Sequence, residues 1–200
     1  MKFKNLYTAL GILFIVIGLF FIFKPFVENK ISSHEQKEKA ENYKSQNHKK
    51  GKPPEISNDK SEVTGTIEID SVDIKAPVYP GKATPKQLKR GVSFAEKDES
   101  LKDQNISITG HTSNVNSRYQ FTPLKDVSTG DKVKLTIGNE KRIYEMTDIK
   151  NVKPDEVEVM DEHKDQKDQL TLITCDNFNE QTGVWENRSI YVAKHIKTLS

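Results

Sequence analysis

The sequence predicts a mainly β domain, a barrel or sandwich of short strands, set behind an N-terminal apolar segment and a polar linker. Three observations carry this expectation. Short segments alternate apolar and polar side chains with the period of a half-buried strand. Turn-forming pairs such as Pro80-Gly81, Gly110-His111 and Gly138-Asn139 separate them. Beyond residue 59 the helix signals are few and brief, and the roughly 140 residues that remain suffice for one hydrophobic core.

The elements follow in chain order. Leu6 to Phe23 carries no charged residue. At about 1.5 Å per residue such a helix covers most of a ~30 Å hydrocarbon layer. Lys2 and Lys4 precede it, which favours a cytoplasmic N-terminus, and Lys24-Pro25 closes it. The run exceeds the ~7–15 residue core of a cleaved signal peptide, and no small-x-small cleavage site follows. The reading is an uncleaved signal anchor over residues 1–24, with a single pass through the plasma membrane and the rest of the chain on the cell-wall side. Residues 25–58 are rich in Lys, Glu, Gln, Asn and Ser and include Gly51-Lys52-Pro53-Pro54, so they read as a flexible linker, with a transiently helical stretch over Glu35–Lys44. His34 and His48 within it read as solvated.

The domain occupies residues 59–200. Val63–Asp70 alternates with period two, and Ile74–Tyr79 is a second short strand. Thr84-Pro85-Lys86-Gln87-Leu88 has a capping Thr, Pro at the first helical position and Gln three residues after the cap, which mark a short helix ended by Gly91. Asn105–Thr109 is a strand. Lys132–Ile137 and Lys141–Ile149 form a hairpin about Gly138-Asn139. Leu170–Cys175 and Ser189–Ile196 complete seven or so strands. A formal net charge of only +2 argues against nucleic acid as a partner.

Cys175 is the sole cysteine, so it forms no internal disulfide. Placed where a strand gives way to Asp176-Asn177-Phe178-Asn179, its thiol suits chemistry better than packing, provided a base or cation activates it. Three histidines are available in the domain. His163 lies in a charged run and His195 in the charged C-terminal tail, whereas His111 sits at a strand end and is favoured. Arg188 follows the cysteine by thirteen residues, room for a loop between adjacent antiparallel strands. By itself it remains an ordinary strand-edge arginine.

The ordered set Thr109-Gly110-His111-Thr112, Leu172-Ile173-Thr174-Cys175 and the following Arg188 resembles the motifs of the sortases. Pro77-Val78-Tyr79-Pro80-Gly81, Arg90-Gly91-Val92-Ser93-Phe94-Ala95-Glu96, Asp103-Gln104-Asn105-Ile106-Ser107-Ile108 and Thr182-Gly183-Val184-Trp185-Glu186 extend the resemblance to the staphylococcal class A members, from the N-terminal anchor to the last strand. It implies an eight-stranded β-barrel and a cysteine transpeptidase. Such an enzyme cleaves a Leu-Pro-x-Thr-Gly sorting signal of exported surface proteins between Thr and Gly, forms a thioacyl enzyme, and passes the acyl group to an amine of the lipid-linked peptidoglycan precursor, here expected to be a glycine bridge. Cys175 is then the nucleophile, His111 the general acid/base, and Arg188 the residue that orients substrate and steadies the oxyanion.

The resemblance further implies an apolar substrate groove at Ala83, Leu88, Ala95, Thr109, Pro154, Val157, Val159, Met160, Thr171, Ile173 and Trp185. Thr109 and Met160 replace the Ala and Leu of the resembled enzymes, and Glu158 replaces a Gly. It also implies an activating, non-catalytic Ca²⁺ held by Glu96, Glu99, Asp103, Asn105 and Glu162, an oxygen-only set that suits this hard cation. From the residues alone those carboxylates are equally a solvated acidic loop. With ordinary pKa values the thiolate–imidazolium form of the Cys–His pair is on the order of 1% of the neutral pair. Two rivals remain open at this point: a cell-wall cysteine hydrolase and a Ca²⁺-dependent surface binding module. The oligomeric state, a homodimer included, is left undecided.

Overall fold

The computed structural model describes residues 2–46, 54–114, 119–162 and 168–199. Side chains are described for these except at 2–6, 8, 9 and 25–32, so the predicted span and linker fall partly outside the described side chains, as do His48 and His163.

Eight strands close into a barrel. They are β1 (Gly65–Ile69), β2 (Ile74–Tyr79), β3 (Val92–Phe94), β4 (Asn105–Thr109), β5 (Lys132–Ile137), β6 (Glu140–Val152), β7 (Gln169–Asn179) and β8 (Val184–Leu199). The order around the barrel is β1-β2-β3-β4-β7-β8-β6-β5. Neighbours are antiparallel except β2–β3 and β4–β7, which are parallel. Closure gives each strand a neighbour on both sides over part of its length, which leaves little open sheet edge.

The alternation read in the sequence becomes the inner and outer faces of this barrel. Ile67, Ile69, Phe94, Ile106, Ile108, Leu135, Tyr144, Met146, Leu170 and Leu172 point inward and are buried, with Phe121 and Leu124 filling the interior from a short 3₁₀ turn over Thr122–Asp126. At about 25 cal/mol per Å² of apolar surface, each such side chain contributes roughly 1.5–3 kcal/mol by burial. β5 and β6 meet at a tight turn where Gly138 takes φ +58°, a conformation open to glycine. The predicted short helix is present as α2 (Pro85–Leu88), and Thr84 Oγ1 accepts the Gln87 N–H at 3.2 Å. Gln87 does not reach back to the cap; its Nε2 donates to the carbonyls of Pro80 and Lys60, tying the helix to the barrel instead.

Three expectations need amendment. β3 has only three residues, too few to show an alternation. β7 and β8 run to Asn179 and start at Val184, so Cys175 lies within a strand rather than at its end. The polar residues after it continue because a two-strand ribbon projecting past the barrel needs no apolar face.

The third concerns the N-terminal region. Lys2–Ser45 forms one helix, α1, covering both the apolar run and the first half of the expected linker. Its last turns are docked on the barrel, with Gln36, Ala40 and Tyr43 buried. The Tyr43 hydroxyl donates to Thr64 O at 2.6 Å and accepts the Gly138 N–H at 2.8 Å. Lys37–Asp73, Glu41–Lys75 and Lys44–Glu68 pair across the same contact. Gln36, Ala40 and Tyr43 recur at helical spacing, a stripe too narrow and too polar to stand out in a charged sequence. Among the described residues no helix is long and apolar enough to cross a membrane.

Candidate active site

β4 and β7 run parallel with Thr109 opposite Ile173. The register persists beyond the end of β4: Gly110 N–H donates to Ile173 O at 3.1 Å, and Thr174 Oγ1 donates to Gly110 O at 2.9 Å. Continuing one step further brings His111 level with Cys175. On the other side, β8 is antiparallel to β7 and Cys175 pairs directly with Arg188. Three segments of chain thus bring the predicted cysteine, histidine and arginine to one level of one sheet. Because Leu170 and Leu172 face the core, the pleat turns Thr171, Ile173 and Cys175 to the outer face.

Gly110 is what lets the chain turn there. A Cβ at this position would meet the Phe121 ring at 2.7 Å and Val92 Cγ1 at 2.9 Å, so only glycine allows the backbone to lie this close to the core just before His111.

The electrostatics work against charge at the pair. Burial pushes the Cys175 thiol up, opposed in part by the Arg188 guanidinium. Burial, helped by Lys89, pushes the His111 imidazole down. Both shifts favour the neutral thiol and neutral imidazole. The Arg188 side chain is held by backbone carbonyls, Nη1 donating to Asn187 O at 2.9 Å. Ser189 Oγ donates to Asp176 Oδ2 at 2.9 Å, linking the residues that follow Cys175 and Arg188 on their strands. The Tyr119 ring stacks on that of His111 with centroids 6.3 Å apart. None of Tyr119, Asp176 and Ser189 was singled out from the sequence; no spacing marks them.

A cavity of about 460 Å³ opens beside Cys175, walled by Phe121, Lys125, Asp176, Trp185 and Tyr191 among others. A second of about 740 Å³ lies over the outer face of β6 and β8, beneath the β6–β7 connection, with Val159, Gln169, Ile190 and Val192 in its walls.

Residues 67–196 match the family model described as the sortase domain. The chain belongs to the sortase family. It is 50% identical over 201 residues to sortase A of Staphylococcus aureus strain NCTC 8325 / PS 47, covering 97% of this chain and 98% of the relative. Sortase A of Listeria monocytogenes is 32% identical over 195 residues, covering 87% and 86% of the two chains. The crystal structure of the Listeria enzyme superposes with a TM-score of 0.61 at 31% identity, over 69% of this chain and 91% of that one. This class A sortase is accordingly a cysteine transpeptidase that anchors surface proteins.

The sortase's predicted groove residues are spread over several elements. Val159 lines the larger cavity and Trp185 the smaller, where it packs on Phe178 at 5.0 Å, and the others line neither. Ala83 and Ala95 are fixed at the β3 side by N–H bonds to Phe94 O and Ser107 O, near Thr109 on β4 and Leu88 on α2. Pro154 and Val157 are exposed, and Met160 ends the 3₁₀ turn Val157–Met160. Ile173 shares the outer face with Cys175. Thr171 is 0% exposed, its hydroxyl donating to Asn105 Oδ1 at 2.7 Å and accepting from Gln169 Nε2 at 3.1 Å.

Asn105 is engaged as well. Its Oδ1 accepts from Thr171, and its Nδ2 donates to the carbonyls of Val159 and Asp161 at 3.2 and 3.1 Å. It therefore tethers the β6–β7 connection to β4. The carboxylates behave differently. Glu99 Oε1 accepts the Ser107 N–H at 2.5 Å and the Glu96 backbone also favours the carboxylate, while the buried Oε2 has no well-formed hydrogen bond among the described residues. Burial and the adjacent carboxylates of Glu96 and Asp103 push Glu99 up to about 7. Glu162 is exposed, next to the tethered Asp161. Among the described residues no three acidic, His or Cys side chains already converge as a metal cage.

Proposed function

We propose that this sortase cuts Leu-Pro-x-Thr-Gly signals between Thr and Gly and joins the Thr carbonyl to an amine of the peptidoglycan precursor, a glycine bridge being the expected acceptor. The observation that carries this reading is the shared level of His111, Cys175 and Arg188 across β4, β7 and β8. In the acylation step the Cys175 thiolate attacks the Thr carbonyl carbon. The negative charge that develops on the carbonyl oxygen is met by the Arg188 guanidinium. Collapse expels the Gly amine, which takes a proton from the His111 imidazolium, and leaves a thioester on Cys175. The acceptor amine then attacks that thioester, His111 receives its proton, and the thiolate departs. The cavity beside Cys175, with Asp176 and Trp185 in its walls, is a route for the acceptor.

The reactive form is the thiolate–imidazolium ion pair. Since burial raises the thiol and lowers the imidazole, this form is the minority of the resting enzyme. Only the minority carries a proton on His111 for the leaving amine.

Ca²⁺ is the proposed activator. The buried Glu99 Oε2 and the mutual repulsion of Glu96, Glu99 and Asp103 suit a hard cation, and Glu162 is within the tethered connection. When bound, the ion supplies positive charge that keeps these carboxylates ionised. The N-terminal run is proposed as a single-pass anchor with the barrel on the cell-wall side. Its support is a helix whose described apolar side chains stand in the open, Phe14 at 66% and Ile22 at 69% exposure.

Purified enzyme mixed with a sorting-signal peptide, with and without triglycine, tests the reaction. Ligated peptide and an acyl adduct mapped by mass spectrometry to Cys175 are expected. Free acid alone would indicate a hydrolase, and intact peptide a binding module.

A further inference from the structure

The backbone of His111 is held from both sides. Its C=O accepts the Phe121 N–H at 3.1 Å, and its N–H donates to Gln120 Oε1 at 2.6 Å. Gln120 is only 4% exposed, and its backbone sits at φ +42°, in the left-handed region where a non-glycine residue needs a compensating contact. The far end of the same amide is also engaged: Nε2 donates to the carbonyl of Leu88, the last residue of α2. The orientation of the amide is unambiguous, because the His111 N–H can only donate and the Leu88 carbonyl can only accept. One buried side chain therefore spans from α2 to the backbone of the histidine. The residue before it, Tyr119, stacks its ring on the imidazole.

We infer that Gln120 is a positioning residue, which fixes the His111 imidazole for proton transfer and couples it to the placement of α2. The physical case is that His111 lies just past the end of β4, where the strand ladder no longer holds it. Its Gly110 neighbour is paired to β7, but beyond that point the ladder gives way to the Gln120 and Phe121 contacts. Proton transfer is sensitive to displacements of about an ångström. Among the described residues, the charged and titratable groups about His111 are Lys89 past α2, Tyr119 stacked on its ring, and Cys175 on β7 and Arg188 on β8 at the same level. Burial and then Lys89 bias its protonation; the hydrogen bonds described for its backbone come from Gln120 and Phe121. The inference rests on His111 being the acid/base group: His111→Ala retaining turnover would remove that assignment, while the variants below address Gln120 alone.

The test uses the full chain in detergent with Gln120→Leu and Gln120→Glu. Leu keeps the volume and removes both bonds; Glu keeps the acceptor for His111 and loses the donor to Leu88. Gln120→Leu is expected to lower kcat about 10- to 100-fold with KM for the sorting peptide nearly unchanged, and to move the NMR titration of the His111 ring. Gln120→Glu is expected to recover much of kcat, with the acid limb of the pH–rate profile moved to higher pH, because a carboxylate beside His111 favours the imidazolium. Parent-like kcat, pH profile and His111 resonances in Gln120→Leu would overturn the inference. Should Gln120→Leu fail to fold, Gln120→Glu decides, and a profile superimposing on the parent overturns it.

Discussion

The two ends of the sheet neighbourhood in this molecule are built on opposite terms. Where α1 docks on β1 and β2, charges are paired: the Tyr43 hydroxyl has a donor and an acceptor and each of three lysines meets a carboxylate, although the buried Gln36 Nε2 and Thr66 Oγ1 have no hydrogen-bond partner among the described residues. Lys75 is held above its ordinary value and Glu41 below it, each by its partner across the contact. At the proposed catalytic rim the shifts run the other way. Burial holds Cys175 and Glu99 up and His111 down, so each group sits in surroundings that disfavour its charged form. One region gains stability from its polar groups; the other holds them short of their preferred state, where a substrate, an ion or a proton can complete them.

Breaking the rim should cost activity and leave the fold. Cys175→Ala is expected to abolish ligation altogether while the thermal midpoint stays within a degree or two of the parent, since a half-buried side chain loses one sulfur. Loss of the thermal transition in this variant would show that the rim is also structural.

Breaking the docked helix should do the reverse. Tyr43→Ala removes a side chain only 8% exposed together with two hydrogen bonds, and is expected to destabilise by about 3–5 kcal/mol with kcat unchanged at a temperature where the variant is folded. Tyr43→Phe isolates the hydroxyl at about 1–2 kcal/mol. Urea titration with parallel turnover assays separates stability from rate. A fall in kcat for folded Tyr43→Phe would mean the two regions are coupled.

Glu99 sharpens the contrast through pH. Its folded pKa lies above the ordinary 4.5, at about 7, so ionisation opposes folding. The penalty is absent below about pH 4.5, grows as pH rises, and is complete above about pH 7. In chelator, stability should decline across this window by on the order of 3 kcal/mol. Glu99→Gln should flatten the decline, and added Ca²⁺ should reverse it in the parent but not in Glu99→Gln. A parent melting temperature indifferent to Ca²⁺ at pH 7.5 would rule out the carboxylate site.

The smallest effects lie at single charges. Lys89→Gln should raise the His111 pKa and move the acid limb of the rate profile to higher pH. Lys44→Ala, which frees Glu68 on the docked face, should cost no more than about 1 kcal/mol, and 0.5 M salt should erase most of it.

How much of this was legible in advance differs by residue. Ile67, Ile106, Leu170 and Leu172 announced their strands because period two is a local property of the chain. Thr84-Pro85 announced α2 for the same reason. The proposed catalytic trio was legible only as an ordered motif set; spacing left His111 one of three candidates and Arg188 an ordinary arginine. β3, Thr171 and Gln120 were not legible. β3 is shorter than the pattern that would betray it. The bond from the Thr171 hydroxyl to Asn105, distant in sequence, leaves no local signature.

By itself, then, the sequence determined the alternating strands, the turns between them, the lone thiol and the membership of its family, because these depend on neighbours within a few residues or on motifs read in order. The tertiary structure alone decided that Asn105 acts as a tether, that Tyr43 docks a helix expected to be linker, and that Gln120 spans from α2 to His111. Each of these is a hydrogen bond between a side chain and the backbone of a segment brought near by barrel closure, and such a bond leaves no periodic trace in the chain.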